Sequence, residues 1–109
     1  MIIECVSIAV RPEKREELRR ALSAWRGPAG VEQGCLSCQI LQEFDGSGAI
    51  WYVAQWGSEN DLLRHLRSDH YKRLLVLMDS ADEPPLIQFH NVMKTAGLEL
   101  VQHARNAAA

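Results

Sequence analysis

The sequence predicts an α+β fold, a four-stranded antiparallel sheet with two helices on one face. Three observations carry that expectation. Ile2 to Val10 and Ile50 to Trp56 are rich in β-branched and aromatic residues and nearly apolar on both faces, as strands at the centre of a covered sheet are. Each is followed by an amphipathic helical pattern and then by a further strand pattern. The 109 residues, 47% hydrophobic and 24% charged, suit one globular domain, expected over residues 1–105 with 106–109 as a frayed tail.

After the first strand, Pro12 stands at a helical first position, with Glu13, Glu16 and Glu17 near the positive end of the helix dipole. Leu18, Ala21, Leu22 and Trp25 recur at i, i+3, i+4 and i+7 as one apolar stripe. Gly27-Pro28 is expected to end this helix. Trp25 reads as core. Residues 30–34 are a connector to a strand over Leu36 to Phe44, and Asp45-Gly46-Ser47-Gly48 is a hairpin turn. In Ile50 to Trp56 period two puts Tyr52, Ala54 and Trp56 on one face and Trp51, Val53 and Gln55 on the other.

Ser58 with Asp61 three residues on is a capping-box-like start for a helix to about Arg67, with Leu62, His65 and Leu66 on one side. Ser68-Asp69 recaps a further turn through Tyr71, Leu74, Leu75 and Met78, and Asp82-Glu83-Pro84-Pro85 breaks it. Leu86 to Met93 alternates as a fourth strand, and Leu98, Val101 and Ala104 suggest a short terminal helix, with a strand as the alternative. The order βαββαβ is the ferredoxin-like split βαβ arrangement. Helices cover only one sheet face. The other is expected to pack on a second copy in a two-fold homodimer, leaving the gap beneath the helices as the ligand cavity.

Composition narrows the function. A net charge of −2 and a pI near 6.1 provide no basic field for nucleic acid. No apolar run approaches the ~20 residues that span a bilayer, and no leader pattern precedes the first strand, so a cytoplasmic protein is expected. Three cysteines argue against a disulfide scaffold. Cys35 and Cys38 form a C-x-x-C, but in an extended strand their side chains point to opposite faces about 10 Å apart. A redox role would require thiol pKa values well below ~8.5. No zinc set is complete. Neither a Ser-His-Asp triad nor a carboxylate pair is visible. No metal or cofactor is expected.

Gly34-Cys35-Leu36, Tyr52-Val53-Ala54-Gln55-Trp56-Gly57-Ser58-Glu59, His65-Leu66-Arg67-Ser68-Asp69-His70-Tyr71 and Glu83-Pro84-Pro85 resemble the antibiotic biosynthesis monooxygenase (ABM) domain family. The resemblance runs from about Ile3 to Arg105 and implies a dimeric α/β barrel. Its cofactor-free oxygenases oxidise polyketide hydroquinones in an aromatic cavity. Their tryptophan at the end of the third strand falls on Trp56, while their asparagine and tyrosine fall on Tyr52 and Leu62. The heme-degrading branch has a tryptophan at His65 and a ligating histidine at Leu75, so axial ligation as in that branch is absent.

The residues at hand suit an oxygenase in which the substrate supplies the electrons. His65, with an unperturbed pKa of ~6.5, is the base candidate. Tyr52 and Trp56 offer O–H and N–H donors to a phenolate, and Trp56 offers a stacking surface. Tyr71 and His90 complete the expected substrate-binding set, and His70 is a reserve. The competing account makes His65 a helix buttress, Tyr52 and Trp56 ordinary core, and His70 and Tyr71 surface or interface residues. The expected function is a cofactor-independent monooxygenase for a small aromatic or quinol-type substrate. The alternative is a small-molecule-binding or stress-response dimer without turnover.

Overall fold

The computed structural model describes residues 1–44 and 46–107. Asp45 of the expected hairpin turn and the last two residues of the expected tail lie outside the described residues. Four strands, β1 (Ile2–Ile8), β2 (Cys35–Gln42), β3 (Ile50–Trp56) and β4 (Leu86–Asn91), form one antiparallel sheet in the order β2-β3-β1-β4. Helices α1 (Pro12–Gly30), α2 (Glu59–Arg67) and α3 (Asp69–Asp79) cover one face, and α4 (Leu98–Ala107) follows the last strand. This is the ferredoxin-like α+β arrangement. Among the described residues no helix is long and apolar enough to cross a membrane.

Period two sets the core. Glu4, Val6 and Ile8 of β1 and Ile50, Tyr52, Ala54 and Trp56 of β3 are buried beneath the helices. The residues between them face the other way and are half-buried. Leu18, Leu22, Trp25 and Ala29 of α1, with Leu62, His65, Tyr71, Leu74 and Met78 of α2 and α3, close the layer. Full burial of one such aliphatic side chain contributes roughly 1.5–3 kcal/mol.

Local chemistry starts the helices where expected. Pro12 opens α1. Ser58 Oγ accepts from the Asp61 amide at 3.2 Å, and Ser68 Oγ accepts from the Tyr71 amide at 3.1 Å. One helix end differs from expectation. Instead of stopping at Gly27-Pro28, α1 carries Pro28 inside its last turn and continues to Gly30. Proline removes one N–H donor, but Ala29 is fully buried against the core. The end is closed by the Val31 amide on the Pro28 carbonyl and the Glu32 amide on the Ala29 carbonyl.

A second correction concerns the cysteines. Strand β2 carries a bulge between Cys35 and Ser37, so Cys35 lies opposite Trp56 and Cys38 opposite Ala54. Trp56 and Ala54 are two residues apart on one face. The extra residue therefore brings both thiols to the helix side rather than to opposite faces. Burial pushes the Cys35 thiol up and the Cys38 thiol up to about 11, opposite to what redox chemistry requires.

Strand β4 and the chain beyond it behave differently. Every β4 residue is exposed, including Leu86, Ile87 and Phe89, because α1, α2 and α3 do not reach that edge. Leu98, Leu100 and Val101 on α4 are also exposed. The radius of gyration is 16.4 Å, against about 13 Å for a compact chain of this length, and the principal extents are 51 × 35 × 21 Å. The chain after β4 forms a projecting arm.

Candidate active site

The functional cluster begins with a residue that breaks the apolar pattern of β1. Glu4 shares the inward face with Val6 and Ile8 and is 0% exposed. Trp56 Nε1 donates to Glu4 Oε1 at 3.1 Å. The Tyr52 and Tyr71 hydroxyls face the same carboxyl. Burial pushes Glu4 up to about 7, with the Trp56, Tyr52 and Tyr71 donors acting against the rise and the charge of Glu32 adding to it. Both Tyr52 and Tyr71 are held as neutral phenols, their pKa values driven upward first by burial and then by the Glu4 charge.

Helix α2 supplies the imidazole. Its register points His65 inward alongside Leu62, and the ring stacks on Trp56 with centroids 4.4 Å apart. Tyr71 meets His65 edge-on at 5.1 Å. His65 Nδ1 lies 2.7 Å from Glu32 Oε2. A carboxylate accepts, so this contact places the proton on Nδ1 and leaves the Nε2 lone pair free. Nε2 stands 3.6 Å from Glu4 Oε1. Burial lowers the His65 pKa, partly offset by Glu32, so the ring is neutral at physiological pH. Among the described residues, Glu4 Oε2, Tyr52 Oη and His65 Nε2 are buried without a hydrogen-bond partner.

The connector that holds Glu32 is pinned on both sides. The Cys35 amide donates to the Glu32 carbonyl at 3.1 Å, and the Gly57 amide donates to the Gly34 carbonyl at 2.9 Å. Gly34 has φ +84°, and a Cβ there would clash with the Asp61 side chain. Only glycine combines that backbone conformation with that close approach.

The structure brings His65, Trp56, Tyr52 and Tyr71 together and separates His90 from them. Tyr71 is buried in the core rather than at the surface. His90 pairs with Ile3, whose side chain points away from Glu4, so it lies exposed on the opposite face of the sheet. His70 stacks on Trp25 at 4.6 Å, its Nε2 donating to the Trp25 carbonyl while Trp25 Nε1 donates to the His70 carbonyl. The expected hollow beneath the helices is occupied by the side chains themselves. Trp25 meets Tyr52 at 4.9 Å, and Trp56, Tyr52, His65 and Glu4 are each no more than 1% exposed. A cavity of about 290 Å³ opens instead on the outer side of Trp25, between α1 and α3. Sequence reasoning missed Glu4 and Glu32. A lone acid on the buried phase of an apolar strand was a readable signal for Glu4. Glu32 sits in an aperiodic connector and offered none. Among the described residues no group of three His, Cys, Asp or Glu side chains is placed to hold a metal ion.

A ferredoxin-like sheet with an imidazole and an acid sealed beneath its helices defines the class: a small α+β domain with a polar cluster in an aromatic core. The chain belongs to the antibiotic biosynthesis monooxygenase family, whose pattern it matches over residues 1–75. No curated protein matched it. Among solved structures, it is similar to a conserved protein of Methanosarcina mazei Go1, at 26% identity and TM-score 0.74, covering 84% of this chain and 92% of that one. Rv0793 of Mycobacterium tuberculosis is 23% identical with TM-score 0.78, covering 88% and 98%. A Deinococcus radiodurans protein, provisionally described as an antibiotic biosynthesis monooxygenase, shares the fold at TM-score 0.81 with 15% identity, covering 89% and 97%.

Proposed function

We propose that this protein is a cofactor-independent monooxygenase acting on a small aromatic or quinol-type substrate, with His65 as general base. One observation carries the reading: an imidazole fixed by Glu32 at Nδ1 turns a bare Nε2 lone pair into an aromatic interior. An imidazole held in that tautomer takes a proton at Nε2 without reorganising. Because side chains fill the interior, the substrate reaches Nε2 only when they part around it. Its O–H then gives its proton to Nε2, and the electron-rich anion transfers electrons to dioxygen. One oxygen atom stays in the product and the other leaves as water, the substrate supplying all the electrons. Tyr52 and Tyr71 remain protonated at any physiological pH and serve as donors to the anion. Trp56 provides the stacking wall. The water-poor surroundings strengthen each of these contacts.

The second reading, a small-molecule-binding or stress-response dimer without turnover, is favoured by a different observation. The Trp56 N–H is already committed to Glu4, leaving one donor fewer for a phenolate. The two separate in one experiment. Protein and a panel of hydroquinones are mixed anaerobically, oxygen is admitted, and uptake is followed. The oxygenase reading expects uptake above the uncatalysed rate that His65→Ala abolishes. No such uptake, with thermal stabilisation by the same compounds retained in His65→Ala, establishes binding without turnover.

The homodimer belongs to the same proposal. The half-buried residues Ile3, Cys5, Trp51 and Val53 form an apolar strip on the uncovered face, next to the exposed edge at β4. A second copy of this chain covers them most economically, because a two-fold interface pairs the patch with itself. Light scattering at micromolar concentration reads the mass directly; a monomer there overturns it.

A further inference from the structure

We propose that Glu4, His65 and Glu32 form a proton relay through which the buried interior exchanges protons with solvent, Glu32 being the exit residue. The inference deepens the oxygenase reading, in which the substrate's proton is held while dioxygen reacts and is then returned to the departing water, but it is drawn from the protein without substrate. A sealed acid cannot exchange its proton with bulk water unaided. Glu4 is fully buried, and the Glu32 side chain is 25% exposed. His65 stands between them, with Nε2 toward Glu4 and Nδ1 on Glu32. An imidazole is the side chain that accepts at one nitrogen while donating from the other.

The step balances with no other reactant. A proton on the Glu4 carboxyl, or on a substrate hydroxyl in contact with Nε2, passes to the His65 Nε2 lone pair. The Nδ1 proton passes to the Glu32 carboxylate, which releases it to water. Glu4 is left as a carboxylate and His65 as the other neutral tautomer; the return transfer restores both. The 3.6 Å gap between Nε2 and Glu4 Oε1 closes to a hydrogen bond with a shift of roughly half an ångström. The groups facing the relay come from every surrounding element. They are Trp56 and Tyr52 from β3, Tyr71 and His70 from α3, Trp25 from α1, and the Cys35 and Cys38 thiols from β2. None is a carboxylic acid or a permanent charge, and burial holds both thiols protonated, so among the described residues Glu32 is the relay's contact with a carboxylate at the surface. Glu32 is a positioning residue for His65 as well as the exit.

Nitrogen-15 and carbon-13 NMR of the substrate-free protein tests this. Wild type is expected to show His65 protonated at Nδ1 and the Glu4 carboxyl titrating at about 7. In Glu32→Gln the side-chain amide donates to Nδ1. The tautomer then switches to Nε2–H, the Glu4 midpoint falls as the Glu32 charge no longer raises it, and exchange of the imidazole proton with solvent slows at least tenfold. Glu4→Gln keeps the Nδ1–H tautomer and loses the titration near 7. Where oxygen uptake is found, Glu32→Gln lowers kcat roughly 100-fold with KM little changed. A wild-type His65 protonated at Nε2, or a Glu32→Gln protein with tautomer, Glu4 midpoint and exchange all unmoved, overturns the relay. Absence of oxygen uptake does neither, because it bears on the oxygenase reading alone.

Discussion

Glu4 and Phe89 lie opposite each other on paired strands and on the same face of one sheet, yet the acid is sealed and the phenylalanine is 44% exposed. The inversion comes from the layer above each of them. Helices α1 to α3 roof β2, β3 and β1, so anything on that face of β1 is enclosed, including a carboxyl. They stop short of β4, so even an aromatic there is left open. One half of the molecule is thus finished by its own chain, with a polar cluster locked inside. The other half presents Leu86, Ile87, Phe89, Leu98 and Val101 to whatever covers them. Burial tracks position in the layers before it tracks side-chain polarity.

Substitutions in the two halves sharpen that contrast. The largest expected effect is in the enclosed half. Trp56→Ala removes a fully buried indole and leaves Glu4 Oε1 unpaired, at a cost of about 3–5 kcal/mol. Phe89→Ala costs under ~1 kcal/mol in the monomer. Urea unfolding measured on both decides it, and equal losses would break the comparison.

Next comes the trapped acid. Folded Glu4 keeps its proton up to about 7, while the unfolded chain releases it near 4.5. The folded state then binds more protons between those values, so stability falls as pH rises from about 4.5 to 7 and stays reduced above. Glu4→Gln removes that loss. The variant is expected to match wild type near pH 4.5 and to exceed it at pH 8 by up to about 3 kcal/mol. Unfolding midpoints across that range check it, and a wild-type stability that rises with pH relative to the variant goes against it.

Gly34→Ala is expected to cost roughly 1–3 kcal/mol, because the new Cβ meets Asp61 and the positive φ disfavours it. It also displaces the connector carrying Glu32. The same NMR experiment on His65 should therefore register the change alongside the lower melting temperature.

The smallest effect on the folded subunit is expected in the arm. The double change Leu98→Asp with Val101→Asp alters monomer stability by under ~0.5 kcal/mol, since both residues are exposed there. If the proposed homodimer forms and the arm packs on the second copy, the same pair shifts the sedimentation profile toward the monomer. A dimer that survives unchanged would detach the arm from the interface.

Much of the fold was legible from short-range chemistry. Pro12, Ser58 and Ser68 marked helix starts through groups a few residues apart, and period two assigned Tyr52, Ala54 and Trp56 to one face. His65 was legible as an inward imidazole because helix register carries it there. The reach of α1 past Pro28 was not legible, because the burial of Ala29 depends on a sheet built from distant segments. The bulge in β2 was hidden too. It is a mismatch between two strands, and neither strand contains it alone.

The cluster's chemistry divides along the same line. Backbone propensity, capping and periodicity act within a few residues, so the chain could announce its strands, its helices and the aromatic character of its core. The meeting of Glu4, His65 and Glu32 joins β1, α2 and a connector across 61 positions of sequence, from Glu4 to His65. A raised carboxyl pKa, a chosen imidazole tautomer and an edge left uncovered are properties of distances and exclusion of water. They exist once the layers have closed, because desolvation is a property of the surroundings and not of the residue.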